Sequence, residues 1–329
     1  MENTEAKRIP PAPLYRDPIY DGAADPTVIY NPNDGNWYML YTQRRASAKA
    51  PDVSFACGSD IGVAVSEDNG LYWYYLGALD LNIEWGHHTF WAPEVIYHDG
   101  IFHMYVSRIR GVNTKWRGRS YISHYTSKDL FNWTYVSDLN LESGAVIDAC
   151  IYPLPKGGFR MWYRNSSGGD AFTWAADSDD LYNWKVKGPV IHGLTYHEGQ
   201  NVFKLSGYYF LIADMGRGLY VFRSDDLENW TKQENIMAQV GRRIEDGTCG
   251  QHADVVSCGD NAYIFYFTHP ERTGDFSVSQ NEMSHIDIPY RLRRSSIQVA
   301  KLHVKDGLLC CDRDADFEIN LYQSERDVK

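Results

Sequence analysis

Asp25, Asp148, Glu198 and His252 each stand at or beside the start of a short apolar stretch of this 329-residue chain, and a fifth such stretch opens at Ala92. Carboxyl groups set in different surroundings divide acid–base work between them: one stays ionised and takes a proton, another stays neutral and gives one. Asp25 precedes Pro26, and an Asp-Pro pair is also an ordinary turn-former. Asp148 lies within an apolar run, where a lone carboxylate is costly to bury. His252 suits an acid, a metal ligand or a satisfied structural histidine, and at this level the three stay open.

The five stretches are copies of one unit: a short apolar strand, a turn, then an aromatic-rich strand. Asp-Pro-Thr-Val-Ile-Tyr (25–30) is followed by Trp-Tyr-Met-Leu-Tyr (37–41), and Ala-Pro-Glu-Val-Ile-Tyr (92–97) by Phe-His-Met-Tyr-Val (102–106). The other three begin at Ile147, Glu198 and His252, and the linking turns carry Asp-Gly, Gly-Gly, Ser-Gly and Gly-Asp pairs, which are hairpin signals. A second phrase alternates with the first. It reads Ser-Glu-Asp-Asn-Gly-Leu-Tyr-Trp at 66–73, Ser-Lys-Asp-Leu-Phe-Asn-Trp at 127–133, Ser-Asp-Asp-Leu-Tyr-Asn-Trp at 178–184 and Ser-Asp-Asp-Leu-Glu-Asn-Trp at 224–230. Ser and Asp side chains bind nearby amides in such turns, so each copy is expected to be the outer hairpin of a small sheet. Recurrence at this period marks a repeat architecture. The expectation is an all-β fold, a five-bladed β-propeller with four antiparallel strands per blade. A β-sandwich also has many short strands, but fivefold recurrence argues against it. Residues 1–329 are expected to form one domain, with 1–14 flexible. The last blade lacks the Ser/Asp turn and draws its outer strands from residues 295–304 and 307–311, and the segment around 14–20 is expected to close the ring against it.

In a propeller the starts of the innermost strands ring the axial funnel. The loops joining the second and third strands border the same funnel, and they carry Arg44, Arg45, Arg108, Arg110, Trp116, Asn165, Asp214, Arg217, His269 and Arg272. Trp85, His87, His88, Phe90 and Trp91 come from a connection between blades. Carboxylates below and aromatic and guanidinium groups around the rim describe a sugar pocket. The expected substrate contacts are Arg44, Trp91, Glu94, Gln200, His252 and Arg294. His87 and His88 are no metal pair if extended, because adjacent strand residues point opposite ways.

The bulk composition agrees. Aromatics make up 14% of the chain, with 24 Tyr and 10 Trp, which favours strands. A net charge of −11 argues against nucleic acid or an anionic membrane as partner. No run approaches the roughly 20 apolar residues of a membrane span. Six cysteines without Cys-x-x-Cys spacing argue against zinc, and a reducing compartment is favoured. The expected location is the cytoplasm, or the periplasm or exterior if a signal peptide was removed. The oligomeric state is left open.

Ala-Asp-Pro at 24–26, Trp-Ala-Pro-Glu at 91–94, Ile-Asp at 147–148 and Glu-Gly at 198–199 fall one per blade. In that order the chain resembles the five-bladed glycoside hydrolases of family 43, over residues 15–315. The resemblance implies an inverting hydrolase: Asp25 the general base, Glu198 the general acid, and Asp148 the residue that orients the acid and keeps its proton in place. Such a mechanism sets base and acid ~6.5–9.5 Å apart. No cofactor is implied for the chemistry, though His252 would support a structural calcium ion or a water cluster in the axial channel. The acid motif commonly continues Glu-Gly-Pro; here Gln200 stands instead, either to bind substrate or to keep a strand amide that proline would remove. A sister family acting on neoagaro-oligosaccharides uses a histidine acid, which His252 would match. The expected activity is exo-acting release of a terminal arabinofuranosyl, xylosyl or galactosyl unit from plant or algal oligosaccharides. A glycoside phosphorylase and a non-catalytic sugar-binding propeller are the alternatives.

Overall fold

The computed structural model describes residues 7–167, 169, 172–194, 196–272 and 288–322. It consists of five four-stranded antiparallel sheets, each with its strands in chain order from the centre outward. The first blade is β1 (Ala23–Asn31), β2 (Asn36–Gln43), β3 (Asp60–Ser66) and β4 (Tyr74–Leu79). The second is β5 (Thr89–His98), β6 (Ile101–Ile109), β7 (Ser120–Ser127) and β8 (Thr134–Asp138). The third is β9 (Val146–Pro153), β10 (Phe159–Asn165), β11 (Thr173–Ser178) and β12 (Lys185–Ile191). The fourth is β13 (Glu198–Leu205), β14 (Tyr208–Asp214), β15 (Leu219–Ser224) and β16 (Thr231–Lys232). The fifth is β17 (Gln251–Cys258), β18 (Asn261–Thr268), β19 (Ser296–Lys305) and β20 (Leu308–Cys311), with one helical turn, α1 (Tyr290–Arg293), before β19. Each innermost strand touches those of its two neighbours, and β17 returns to β1, so the ring is closed. This is the expected five-bladed propeller.

Among the described residues the apolar side chains gather in six clusters, five of them between adjacent blades and a small sixth of Ala50, Phe55, Ala56, Ile288 and Leu292. Leu40, Val63, Val95 and Met104 join blades one and two, and Phe210, Ile264 and Ala300 join four and five. The last seam, between blades five and one, also takes in Leu14, Tyr15, Ile319 and Leu321 from the two ends of the chain. Tyr15 pairs with Ile297 at the start of β19, its amide donating at 3.1 Å and its carbonyl accepting at 2.9 Å. The expected closure by residues 14–20 is therefore present. Residues 7–14 depart from the expectation of a loose tail. Arg8 donates to the carbonyls of Ile319 and Asp68, and Leu14 is buried in the seam. Residues 1–6 lie outside the described residues.

The Ser/Asp phrases form the outer turns. In the third copy the Ser178 hydroxyl accepts the amides of Asp180 and Leu181, and Asp180 accepts those of Tyr182 and Asn183. These bonds and the Asn183 side chain hold the Asp180 carboxyl down to about 2. Leu181 sits at a positive φ of 64° with its side chain fully buried, and its carbonyl accepts the Tyr105 hydroxyl of blade two. The turn thus pins two blades together. Leu181→Ala is expected to lower stability by about 2–4 kcal/mol through the cavity it leaves, measured by urea denaturation.

One irregularity recurs on the inner strands. Every first strand has a register shift near its start, between Ala24 and Thr27, Trp91 and Glu94, Glu198 and Asn201, and Gln251 and Asp254, with the equivalent shift in blade three opposite β9. At four of these bulges one residue takes a positive φ: Asp25 (49°), Ala92 (45°), Asp148 (59°) and Gly199 (61°). A bulge re-aims the local side chains and bends the strand. It corrects the alignment used above. Asp25, Ala92, Asp148 and His252 correspond to Gly199, whereas Glu198 stands one residue earlier, level with Ala24 and Trp91. Since neighbouring strand residues face opposite ways, Glu198 enters the site from a different direction than the two aspartates.

Candidate active site

The bulges bring Asp25, Asp148 and His252 together and fix their backbones by bonds between blades. The Asp148 amide donates to the Ser107 hydroxyl of blade two at 2.9 Å. Asp148 Oδ2 accepts the Gly199 amide of blade four at 3.0 Å, and Asp214 Oδ2 accepts the His252 amide of blade five at 3.0 Å. Gly199 is required here twice over. It has a positive φ, and a Cβ on it would stand 2.7 Å from the His252 ring. The imidazole therefore packs closely against Gly199 of blade four, with Nδ1 3.5 Å from Asp25 Oδ1.

The four acidic groups sit in distinct fields. Burial alone would raise Asp25, but the charges of Arg44 and His252 outweigh it and hold the carboxyl below its ordinary value. Arg44 does this at 3.0 and 3.1 Å from the two carboxylate oxygens. Asp148 is pushed up to about 6 by burial, and the negative charges of Glu198 and Asp25 add to this against the pull of His252. Asp214 is pushed up to about 7, by burial first and by Glu198 second. His252 goes the other way: burial opposes its charge, yet Asp148, Asp25, Asp214 and Glu198 together raise it. Glu198 is the open member, with a side chain 29% exposed against 5% for Asp25. Its Oε2 takes both the Arg164 guanidinium at 2.8 Å and the Tyr196 hydroxyl at 2.5 Å. Arg164 lies over the Tyr196 ring, 4.5 Å from its centroid. Both donors use one oxygen, leaving Oε1 to face other partners.

Asp25, Asp148, Glu198, His252 and Arg44 thus stand near one another in the structure. Trp91 stands at the mouth, its indole donating to the Ala56 carbonyl at 2.6 Å and tilting against Trp116 at 6.0 Å. Three expected substrate contacts do not belong to this group. Glu94 is buried and its Oε1 accepts the Ile151 amide at 2.9 Å, so it clamps blade two to blade three. Gln200 is turned inward, donating to Thr173 Oγ1 at 3.0 Å, because its place inside the bulge aims it into the seam between blades. Arg294 is held by Glu245 at 2.8 Å and Glu271 at 2.7 Å, away from the three carboxyl groups. Of the rim arginines, Arg108 is buried between Glu84 and Asp138. Arg164 and Tyr196 were missed, though an arginine ending an aromatic strand was a readable sign. Asp214 was seen only as a loop residue.

A calcium ion takes six to eight oxygen ligands. Around His252, Asp25 holds Arg44, Asp148 Oδ2 holds the Gly199 amide, and both oxygens of Asp214 hold backbone amides. Among the described residues no three His, Cys, Asp or Glu side chains converge on a common point for a metal. The donor set does not fit calcium.

No protein-family model and no curated protein matches the chain by sequence. Solved structures do match in fold. A thermostable family 43 glycoside hydrolase superimposes with a TM-score of 0.66 at 20% identity, over 94% of this chain and 100% of that one. A family 43 β-xylosidase/α-arabinofuranosidase from a compost microbial metagenome, in complex with xylotriose and free of calcium, gives 0.64 at 18% identity, over 88% and 93%. A family 43 β-1,3-galactosidase with galactodeoxynojirimycin gives 0.62 at 15% identity, over 88% and 93%.

Proposed function

We propose that this propeller is a glycoside hydrolase that releases a terminal sugar from an oligosaccharide with inversion. The observation that carries the reading is the set of three carboxyl groups from three blades, each in a different electrostatic field, around one funnel. The likeness in fold to xylosidase, arabinofuranosidase and galactosidase structures supports it and points to a pentosyl or galactosyl type of unit.

In this reading Asp25 is the general base. Its ionised form is favoured by Arg44 and His252, which suits a group that draws a proton from water. Glu198 is the general acid. Arg164 and Tyr196 occupy Oε2, so Oε1 carries the proton to the leaving oxygen. Asp148 touches no reacting atom. It grips the amide of Gly199, the next residue along from the acid, and fixes where Glu198 stands. The Trp91–Trp116 pair offers an aromatic surface at the rim for the sugar chain. The test is proton NMR of a digest of arabinoxylan and galactan oligosaccharides. A single monosaccharide is expected first, with its anomeric configuration opposite to that of the bond cleaved. Internal cleavage or retained configuration would overturn the proposal.

A further inference from the structure

Arg272, four residues beyond the end of β18, is a funnel-side cation whose charge no carboxylate among the described residues answers. Its Nε donates to the Leu292 carbonyl at 2.6 Å, and its two terminal nitrogens have no partner among the described residues. The neighbouring charge is another guanidinium, that of Arg44; burial first and Arg44 second pull Arg272 down to about 9. Arg44 lies over the Phe267 ring, 4.8 Å from its centroid, and gives its terminal nitrogen to Asp25. His269 supplies no counter-charge, since it is buried, bonded to the Arg294 carbonyl and held neutral by burial and by the same two arginines. Arg44, Arg164 and Arg294 each hold a carboxylate. Among the described residues Arg272 holds only the Leu292 carbonyl.

Two neighbouring guanidinium groups, of which only Arg44 holds a carboxylate, repel each other, and partial burial strengthens that repulsion. Such a local conflict is expected where a ligand resolves it. A planar guanidinium with two free nitrogens matches a carboxylate in bidentate fashion. We propose that the oligosaccharide taken by this funnel is acidic, and that Arg272 receives the carboxylate of a uronic acid residue. This rests on the glycosidase reading and narrows its substrate class.

The experiment is calorimetric titration of the full chain with D-galacturonate, D-glucuronate, D-galactose, sulfate and phosphate, alongside turnover of aryl uronides and the matching neutral aryl glycosides. A uronate is expected to bind at least about 10-fold tighter than the matching neutral sugar, as a charge-assisted bidentate pair requires. Arg272→Gln should abolish that preference and Arg272→Lys should restore part of it, with thermal melting confirming that both variants fold. Equal binding of uronate and neutral sugar, or a preference that survives Arg272→Gln, would overturn the assignment. So would phosphate binding coupled to phosphate-dependent turnover of neutral glycosides, which would give the arginine to a free co-substrate. Uronate preference without turnover of any glycoside would uphold the acidic ligand and remove the hydrolase.

Discussion

Asp25→Asn is expected to lower kcat by about 10²–10⁴-fold on every glycoside, whatever its leaving group. The amide keeps the shape of the side chain and can still accept from Arg44, but it cannot take a proton from water. Glu198→Gln is expected to behave differently. A leaving group that needs no protonation, such as fluoride or dinitrophenolate, should be released at close to the normal rate, while an alkyl or sugar leaving group loses a comparable 10²–10⁴-fold. The contrast follows from geometry already described. Asp25 is sealed beneath the funnel beside Arg44 and His252, whereas Glu198 is the exposed carboxyl with one oxygen unoccupied. Steady-state kinetics on a leaving-group series decides it. Unchanged turnover in both variants would remove the role assignment.

The second large effect concerns stability. His103 and His124 are buried in blade two, with His103 Nδ1 and His124 Nε2 3.0 Å apart and the His124 ring stacked on Tyr105 at 4.6 Å. His124 Nδ1 is sealed without a partner. A bare lone pair is cheaper to bury than an orphan N–H, so His124 donates from Nε2 and both rings stay neutral. Burial, and secondarily the charge of His98, holds His103 down to about 4; burial, and then His103 itself, holds His124 down to about 3. Both values lie below the unfolded value of 6.5, so the unfolded chain binds more protons at intermediate pH. The stability contributed by the pair is complete above about pH 6.5 and is lost as pH falls through the folded values, about 4 for His103 and about 3 for His124. At about 1.4 kcal/mol per unit, the two depressions together put on the order of 8 kcal/mol at stake. Replacing both rings by Phe removes the titration and keeps an apolar stack. Urea denaturation from pH 7 to 4 should show a steep fall for the natural chain and a shallower one for the double variant. Parallel curves would sink the idea.

The blade plan was legible because its marks are local. The Ser/Asp turn depends on side chains binding amides within four residues, so its phrase survives in every copy that makes the turn. The hairpin glycines are legible for the same reason. The site was legible only in part, because its geometry depends on contacts between residues far apart in the chain. Glu94 looks like a site carboxylate in Trp-Ala-Pro-Glu, yet the amide it serves, Ile151, belongs to another blade. Arg294 begins a strand at the right end of its blade, but Glu245 and Glu271 reach it from loops with no periodic pattern. The one-residue offset of Glu198 was hidden because a bulge leaves no composition signal beyond Gly199 itself.

The kinks at the heads of the inner strands have a further consequence for how this molecule can change over generations. Each breaks the ladder in the same place, so the backbone there is shaped by the blade and not by the side chain it happens to hold. Asp25, Ala92, Asp148 and Gly199 all take the same turn of the chain. The scaffold therefore offers like sockets around one axis that can take a side chain without rebuilding a sheet, except in blade four, where the His252 ring fills the space beside Gly199. Blade two, with alanine in its socket, shows the fitting left blank.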